Sequence, residues 1–350
     1  MLTASGLNPG EIDPRTIKIF NNGGTMLPEN IDDERIDGLM EIAIRVIGEE
    51  DGKFDPNDYI LFYGKRTEEW EWNSKDREMG HSKNVYAKTN LYWLTYGGQQ
   101  GKRMQSKPYI VHGAVPVTTA KGFYYREDEL VKMFESGNNW YMAELMSDQS
   151  DPHTYAVRLP GYIPGSSASF RASIYTIIPY PYVHISSHTL ITGINNTPVL
   201  TSKISGSRPQ TIIRYTGSVP GTGEFSLWFD NDTDEQVSML YLDWFAFEYE
   251  RNLLARDGLL KYFVSNLTGP VTFEIIGISD DRFDIYDITD YNDVCVFENI
   301  YDSGSETAMF SDTLRNDTRV YYAAHQSRLI PVETLVPQPN SFLRTEPRTA

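Results

Sequence analysis

Residues 238–251 read SMLYLDWFAFEYER, and this stretch decides the fold class of the chain. Bulky apolar residues occupy both faces of the segment when it is extended, as expected for a central strand covered on two sides. In ASFRASIYTI (168–177) and FSLWFD (225–230), apolar and polar residues alternate, which is typical of strands that bury one face. The sequence therefore predicts layered β-sheets.

The same pattern extends outward over most of the 350 residues. The runs TIKIF (16–20), DYILFYG (58–64) and NLYWLTYG (90–97) are short, β-branched or aromatic, and bounded by turn residues. The 23 Tyr, 16 Phe and 6 Trp, with 26 Gly and 19 Pro, also favour strands and turns. We predict an all-β protein with two or more β-sandwich or jelly-roll units.

One segment, REDELVKMFES (126–136), has the features of a short connecting helix. Acidic residues open it, Leu130, Met133 and Phe134 would share a helical face, and Gly137 follows as a stop. We therefore predict that this helix connects two β-rich regions.

The predicted helix and the changes in composition divide the chain into five parts. We predict a β-rich domain over 1–118, a connecting segment over 119–149, a jelly-roll-like β-sandwich over 150–262, and a third β segment over 263–335. Because the third segment is short for an independent domain, it is a candidate to complete a sheet begun by the first. Residues 336–350 are Pro-rich and polar, and we predict a linker to a further folded domain.

Charge and composition exclude several classes of partner. A net charge of −17 argues against nucleic acid and anionic membrane surfaces, because both require basic clusters. No apolar run approaches the length of a membrane span, and the first residues lack the features of a signal peptide. An exported protein would therefore carry its signal upstream of this sequence. The single cysteine, Cys295, cannot form an internal disulfide, and its strand-like surroundings predict an inert, buried side chain.

The stretch GEEDGKFDPNDYI (48–60) partly matches a calcium-binding EF-hand loop. Asp51, Gly52 and Asp58 fall at its fifth, sixth and twelfth positions, but Ile47 would occupy the first position and cannot ligate a metal. A turn is the favoured interpretation, with left-handed backbone at Asp51-Gly52 and with Asp55 and Asp58 capping the turn before the next strand.

Two other acidic clusters leave calcium open as the one candidate cofactor. Solvated loops are the favoured interpretation, and a set of oxygen ligands for calcium is the alternative. The clusters comprise Asp230, Asp232, Asp234 and Glu235, and Asp280, Asp281, Asp284, Asp287, Asp290 and Asp293.

The sequence predicts no autonomous active site. His184 and His188 lie in a β-like segment, where four residues span about 13 Å, too far to share one zinc ion. The chain has no G-x-S-x-G elbow, P-loop or dinucleotide fingerprint.

Several residues have predicted structural or binding roles. Asp243 and Arg251 bracket the aromatic strand, where charged side chains need an ion pair or a backbone hydrogen bond. We assign structural roles to both, and to Cys295. Exposed tryptophans could instead stack on sugars, with packing in a core or between domains as the favoured interpretation. The tryptophans concerned are Trp70, Trp72, Trp140 and Trp228, of which Trp140 is assigned a structural role.

Ordered fragments of the chain resemble the N-terminal region of gingipain-like cysteine peptidases, most closely the sortase of the type IX secretion system. The fragments run from the N-terminal third to the last residues, with one departure at Met142-Ala143, where the family usually has a glycine before Glu144. They are DGKFDPNDYILFYG (51–64), Trp70, His81, Asn84, Tyr86, LYWLT (91–95), ESGNNWYMAEL (135–145), YLDWFAFEYERNL (241–253), IYDITD (285–290) and NSFLRTEPRTA (340–350).

This resemblance implies a non-catalytic region of an exported protein, located in the periplasm, at the outer-membrane surface or outside the cell. The family's catalytic histidine and cysteine would lie beyond residue 350, and Cys295 is not their counterpart. Implied partners are the chain's own C-terminal peptidase domain and secretion-system proteins or cargo. A free-standing β-sandwich module that binds carbohydrate or protein remains the alternative.

Overall fold

The all-β prediction is confirmed. The computed structural model describes residues 2, 5–28, 30–32, 35–36, 38–73, 75–110, 113–133, 140–147, 151–177, 187–206, 208–234 and 238–338. These residues form strands joined by turns, with no helix of seven or more residues among them. Short 3-10 turns lie at Pro9–Glu11, Pro14–Thr16, Glu49–Asp51 and Gln326–Arg328.

The strands are numbered in chain order. They are β1 (Lys18–Asn21), β2 (Met40–Ile42), β3 (Ile44–Ile47), β4 (Tyr59–Phe62), β5 (Glu68–Asn73), β6 (Glu78–Lys83), β7 (Trp93–Thr95), β8 (Ser106–Lys107), β9 (Val115–Val117), β10 (Thr119–Glu127), β11 (Val131–Lys132), β12 (Trp140–Tyr141), β13 (Ala143–Met146), β14 (His153–Arg158), β15 (Ala168–Ile177), β16 (Ser187–Ile194), β17 (Thr197–Ser205), β18 (Arg208–Gly217), β19 (Glu224–Asn231), β20 (Met239–Asn252), β21 (Leu259–Val264), β22 (Thr268–Ile276), β23 (Phe283–Asp287), β24 (Cys295–Phe297), β25 (Ile300–Asp302), β26 (Thr307–Arg315) and β27 (Arg319–His325).

A ten-stranded sheet forms the middle layer, and the stretch that decided the fold class runs through it. The strand order is β18-β15-β20-β10-β21-β27-β23-β24-β8, and β13 also pairs with β20. Strand β20 is antiparallel to β15, β10 and β13, and it buries residues on both faces. The prediction of a central strand covered twice is confirmed.

One face of the middle layer is covered by two smaller sheets. The sheet β14-β19-β16-β17 packs over one end, where Phe229 lies 6.0 Å from Phe245 between ring centroids. The sheet β25-β26-β22-β9 packs over the other end, where Phe273 lies 5.1 Å from Tyr321. Each end is therefore a β-sandwich with an aromatic core, and both sandwiches share the middle layer.

The opposite face of the middle layer is covered by residues from the N-terminal part of the chain. The hairpin β5–β6 lies against it, with fully buried Met79 and half-buried Trp70 packed near Phe263. The contact also includes charge, because Lys261 pairs with Glu69 and donates to the Trp70 carbonyl at 2.9 Å. Beyond this layer, the sheet β2-β1-β7 and the hairpin β3–β4 enclose a separate isoleucine-rich core.

The predicted helix over 126–136 is wrong for the part that the structure describes. Residues 126 and 127 end β10, where Arg126 and Glu127 pair with Phe245 and Trp244 of β20. Residues 131–132 form the short strand β11, and 134–136 lie outside the described residues. The helical pattern was outweighed because residues 126 and 127 continue the nine-residue strand β10 along β20, and tertiary pairing overrides a weak local helix propensity.

Strands from distant parts of the chain share sheets. Strand β24 pairs in parallel with β8, and β22 pairs in parallel with β9, so the segment 263–335 adds strands beside those of 1–118. The division into domains stays a prediction, and residues 339–350 of the predicted linker lie outside the described part of the chain. Within the described part, no helix is long and apolar enough to cross a membrane.

Candidate functional site

The described surface has a groove made of two adjoining clefts of about 730 and 690 Å³. The clefts share Lys83, Val85, Tyr86 and Glu129, so they form one continuous depression, called the groove below. Its walls come from β6 and the loop after it, from the end of β10, and from the middle layer at β15 and β20.

A β-bulge in β20 brings a carboxyl group into the groove. Ser173 of β15 pairs with Trp244 and the next residue, Ile174, pairs with Leu242, so Asp243 is the extra residue of the bulge. On the other side of β20, β10 ends opposite Trp244 and β13 begins opposite Leu242. Asp243 therefore lies at the point where the strand paired with β20 changes from β10 to β13. Both Asp243 and Trp244 line the groove.

Asp243 is held with little compensation for its charge. The Oδ2 atom accepts a hydrogen bond of 3.0 Å from the Ser173 hydroxyl. Burial raises the pKa of Asp243 from 3.8 to about 7, and the nearby charges of Glu127 and Glu129 add to the rise, whereas the Ser173 hydrogen bond opposes it. This carboxyl group therefore titrates near neutral pH.

Two glutamates at the end of β10 complete an acidic floor. Glu127 Oε2 lies 2.8 Å from His81 Nε2, and Glu129 Oε1 lies 3.7 Å from Lys83 Nζ. Burial raises the pKa of Glu129, and the adjacent Glu127 raises it further. Lys83 also donates to the backbone carbonyl of Glu127 at 3.1 Å, so its ammonium group contacts both Glu127 and Glu129.

Aromatic rings fix the position of His81. Its ring stacks on Tyr125 with centroids 4.5 Å apart, and the edge of Trp244 lies 5.1 Å away. These contacts hold the imidazole against Glu127.

At the far end of the same cleft, Glu78 pairs with Arg171 and lies 3.4 Å from Arg214. Arg171 also donates to the Met79 carbonyl. Arg171 and Arg214 are therefore already paired with a carboxylate of this chain.

The rim of the groove is apolar and exposed. Tyr86 is 74% exposed and Leu27 is 69% exposed, whereas Met26, Val85 and Trp140 are each less than half exposed. Lys132 lies 5.8 Å above the Trp140 ring. A charged floor with an apolar rim is suited to binding a ligand that has both a polar group and apolar surface.

The structure separates most of the residues that the sequence singled out from this groove. Asp51 accepts from the Lys53 amide at 2.9 Å, Asp58 accepts from the Asp55 amide at 2.7 Å, and Gly52 has φ 77°. The predicted turn over these residues is confirmed.

The other acidic candidates described here do not line the groove. Asp284 meets Arg45 at 3.3 Å, and Asp287 lies 3.1 Å from both Lys107 and Arg319. Burial raises the pKa of Asp230, and the charge of Asp232 raises it further. Asp232 and Asp234 lie in the turn after β19, and Glu235 lies outside the described residues.

No three His, Cys, Asp or Glu side chains are grouped so as to hold a metal ion in the part of the chain that the structure describes. Calcium at the acidic loops stays a prediction.

The two residues that bracket the aromatic strand have different partners. Arg251 is 7% exposed and donates to the backbone carbonyls of Lys261 at 3.1 Å and Asn252 at 3.3 Å, as expected for a buried guanidinium. Among the described residues, the partner of Asp243 is the Ser173 hydroxyl, and no ion pair or backbone hydrogen bond to its carboxyl group is seen there.

Cys295 is half-buried in β24 rather than fully buried, and burial raises the pKa of its thiol. The Sγ atom donates weakly to the Asp293 carbonyl at 3.6 Å. A raised pKa disfavours the thiolate that a nucleophile requires.

The remaining histidine and tryptophan candidates also have structural contacts. His188 is fully buried, with Nδ1 2.7 Å from the Ser238 hydroxyl, and His184 lies outside the described residues. Trp70 and Trp72 pack against the middle layer, and Trp228 donates to the Asn195 carbonyl at 2.6 Å. Of the four tryptophans considered for sugar stacking, Trp140 is exposed on the groove.

Sequence reasoning missed Glu127, Glu129 and the role of His81. The two glutamates were assigned to a helix, and His81 was noted only within a resembling fragment. The available signal in the sequence was the acidic pair Glu127 and Glu129 at the end of an alternating strand. Only the pairing of β10 with β20 shows that this pair lies beside Asp243.

Comparison with known proteins gives one likeness over most of the chain. No protein-family model matches, and no curated protein matches. Among solved structures, dimeric latent PorU from Porphyromonas gingivalis matches with a TM-score of 0.68 and 17% identity, over 93% of this chain. The fold is PorU-like. The chain spans about 30% of the length of the PorU chain that it matches, and at this identity the likeness establishes the fold alone.

Two carbohydrate-binding modules match only in part. The CBM36 module in complex with calcium and xylotriose has a TM-score of 0.25 and 13% identity, covering 37% of this chain and 99% of the module. The CBM36-1 domain of a xylanase from the hindgut metagenome of Trinervitermes trinervoides has a TM-score of 0.24 and 14% identity, covering 37% of this chain and 94% of the domain.

Proposed function

We propose that this chain is a non-catalytic, β-rich region of an exported, PorU-related, gingipain-like cysteine endopeptidase. The observation that carries the proposal is the PorU-like fold over 93% of the chain. The ordered fragments that resemble gingipain-like peptidases support it, because they recur along the same length.

In this proposal the chain acts as a scaffold. It supports and orients a peptidase domain encoded after residue 350, and it contacts secretion-system proteins or cargo at the cell surface or in the periplasm. The complete protein would cleave C-terminal signals from cargo and attach the cargo to the surface. The nucleophile would lie in the further domain, and Cys295 would take no part in the reaction.

The segment after β27 supports a role in docking. Leu329, Ile330, Val332 and Val336 are all exposed, with Ile330 at 79% and Val336 at 61%. A run of exposed apolar side chains is costly in water and marks a contact surface. The further domain would cover this segment.

The coding sequence after residue 350 gives the first test. We expect it to continue into a domain that contains a histidine and a cysteine at a peptidase site. A natural stop codon after residue 350 would contradict the proposal.

A second test uses the complete protein in the organism that encodes it. Deleting residues 1–338 is expected to leave cargo with its C-terminal signal uncleaved, because the peptidase domain would lose its scaffold. A Cys295→Ala variant of the complete protein is the matched control, and it should process cargo normally.

A further inference from the structure

The groove combines features that fit one class of ligand. Its two clefts share Lys83, Val85, Tyr86 and Glu129, so an occupant can extend through both. Such a continuous groove suits an extended chain better than a compact small molecule.

The rim supplies apolar contact surface. Tyr86, Leu27 and Val85 are exposed by 74%, 69% and 46%, and all three line the first cleft. Trp140 is exposed at the end of the second cleft. Apolar side chains gathered along one groove mark an interaction site, whereas single ones scattered over a surface do not.

The floor has an excess of negative charge. Among the described lining residues of the first cleft, the cations are Lys83 and Arg171, beside the imidazole of His81. Five carboxylates line the same cleft, namely Asp76, Glu78, Glu127, Glu129 and Asp243. The cleft is therefore complementary to a cation.

The cations present do not satisfy the carboxyl groups at the centre. Arg171 is engaged with Glu78, and Lys83 reaches Glu129 only at 3.7 Å. Asp243 accepts a hydrogen bond from the Ser173 hydroxyl. Burial and the neighbouring carboxylates raise the pKa of both Asp243 and Glu129. An additional cation at this point would neutralise charge that the described residues leave only partly compensated.

We propose that the groove binds an extended peptide segment that carries arginine or lysine side chains. The basic side chain would lie over Glu129 and Asp243, and the neighbouring residues would pack on Tyr86 and Trp140. A guanidinium can also stack on these rings, which adds a preference for arginine. Polyanions would be repelled by the floor and by the net charge of −17.

The test measures retention of peptide pools on the immobilised chain of residues 1–350. One pool of ten-residue peptides has arginine at the fourth and sixth positions and all other positions random. The control pool has citrulline at those two positions, which keeps the shape and removes the charge. We expect the arginine pool to be retained at least about five-fold better, because one partly buried charge pair corresponds to about that factor.

Two variants locate the binding. Glu129→Gln removes one charge from the floor, and Tyr86→Ala removes a ring that is 74% exposed and therefore dispensable for folding. Each should lower retention of the arginine pool by about five-fold. Glu224→Gln is the matched control, because it removes the same charge from an exposed site on β19, outside the groove, and should leave retention unchanged.

Three outcomes would overturn the proposal. Equal retention of the arginine and citrulline pools would show that charge is not recognised. Equal loss in Glu224→Gln and Glu129→Gln would show that attraction to the whole acidic surface is responsible. Binding of xylo-oligosaccharides that is lost in Tyr86→Ala, without retention of the arginine pool, would assign the groove to carbohydrate.

Discussion

The two faces of the middle layer are held by different physical means. On one face, Phe245 and Tyr321 belong to large aromatic cores, in which the buried polar groups are hydrogen-bonded, as Tyr321 is to Asp312. On the other face, Lys261 pairs with Glu69, Arg171 pairs with Glu78, and the groove opens beside them. The first face therefore depends on packed aromatic rings, whereas the second combines apolar packing with ion pairs and carries the groove.

The largest effect is expected on the apolar face. Phe273 is fully buried, with ring centroids 4.9 Å from Phe310 and 5.1 Å from Tyr321. Phe273→Ala should lower the free energy of unfolding by about 4 kcal/mol, because it removes apolar contacts and leaves a cavity. Urea denaturation measures this change. Ile276→Ala, on the same strand but 45% exposed, is the control and should cost less than about 1 kcal/mol.

On the charged face, the Lys261–Glu69 pair gives the next largest effect. The Lys261 ammonium also lies 4.1 Å above the Trp70 ring, and Tyr63 donates to Glu69 at 2.6 Å. Lys261→Met should destabilise the protein by about 3 kcal/mol, because the Glu69 charge stays buried without its cation.

The double variant Lys261→Met with Glu69→Gln should recover at least half of that loss, because no unpaired charge remains. If the double variant is as unstable as the single one in urea denaturation, the ion pair is not what holds this face.

Asp243 gives an effect that depends on pH. Its pKa is about 7 in the folded protein and 3.8 as a reference, so the folded state holds a proton that the unfolded chain releases between these values. The contribution of Asp243 to stability therefore falls as the pH rises from about 4 to about 7. Asp243→Asn should be more stable than the parent by about 2 kcal/mol at pH 8, and equal to it near pH 4.

Thermal denaturation across this pH range checks the prediction. An Asn variant that is less stable than the parent at pH 8 would mean that the carboxylate is compensated by a cation. The two faces would then differ less than the structure indicates.

The smallest effect is expected at the rim of the groove. Trp140 is 41% exposed, although the sequence suggested a structural role. Trp140→Ala should change the free energy of unfolding by no more than about 0.5 kcal/mol. Tyr141→Ala, at the adjacent position but 2% exposed, should be clearly destabilising in the same assay.

The sequence allowed the apolar face to be predicted because that face follows a simple rule. Phe225, Leu227 and Phe229 alternate with half-buried residues as the period of a strand requires. The stretch around Phe245 is apolar on both faces, and it is central in the sheet. Burial of apolar surface is encoded locally, so it could be read from the chain without knowing its partners.

The groove could not be predicted because no local rule encodes it. Its floor joins His81, Glu127 and Asp243, which come from three separate strands. The bulge that turns Asp243 toward the groove interrupts the alternation of β20, and nothing in the spacing announces it. The acidic run at 127–129 was assigned to a helix, whereas Glu127 ends a strand whose partner, Trp244, lies more than a hundred residues later in the chain.

The parallel strands β8 and β9 have a consequence for how the chain is made. Lys107 beside β24 contacts Asp287, 180 residues further along, and β9 completes its sheet only when β22 is present. During synthesis, the N-terminal third must therefore wait, partly unpaired, until residues near 297 have left the ribosome. High contact order of this kind slows folding, so we expect a chain that depends on protection from aggregation during its late and concerted assembly.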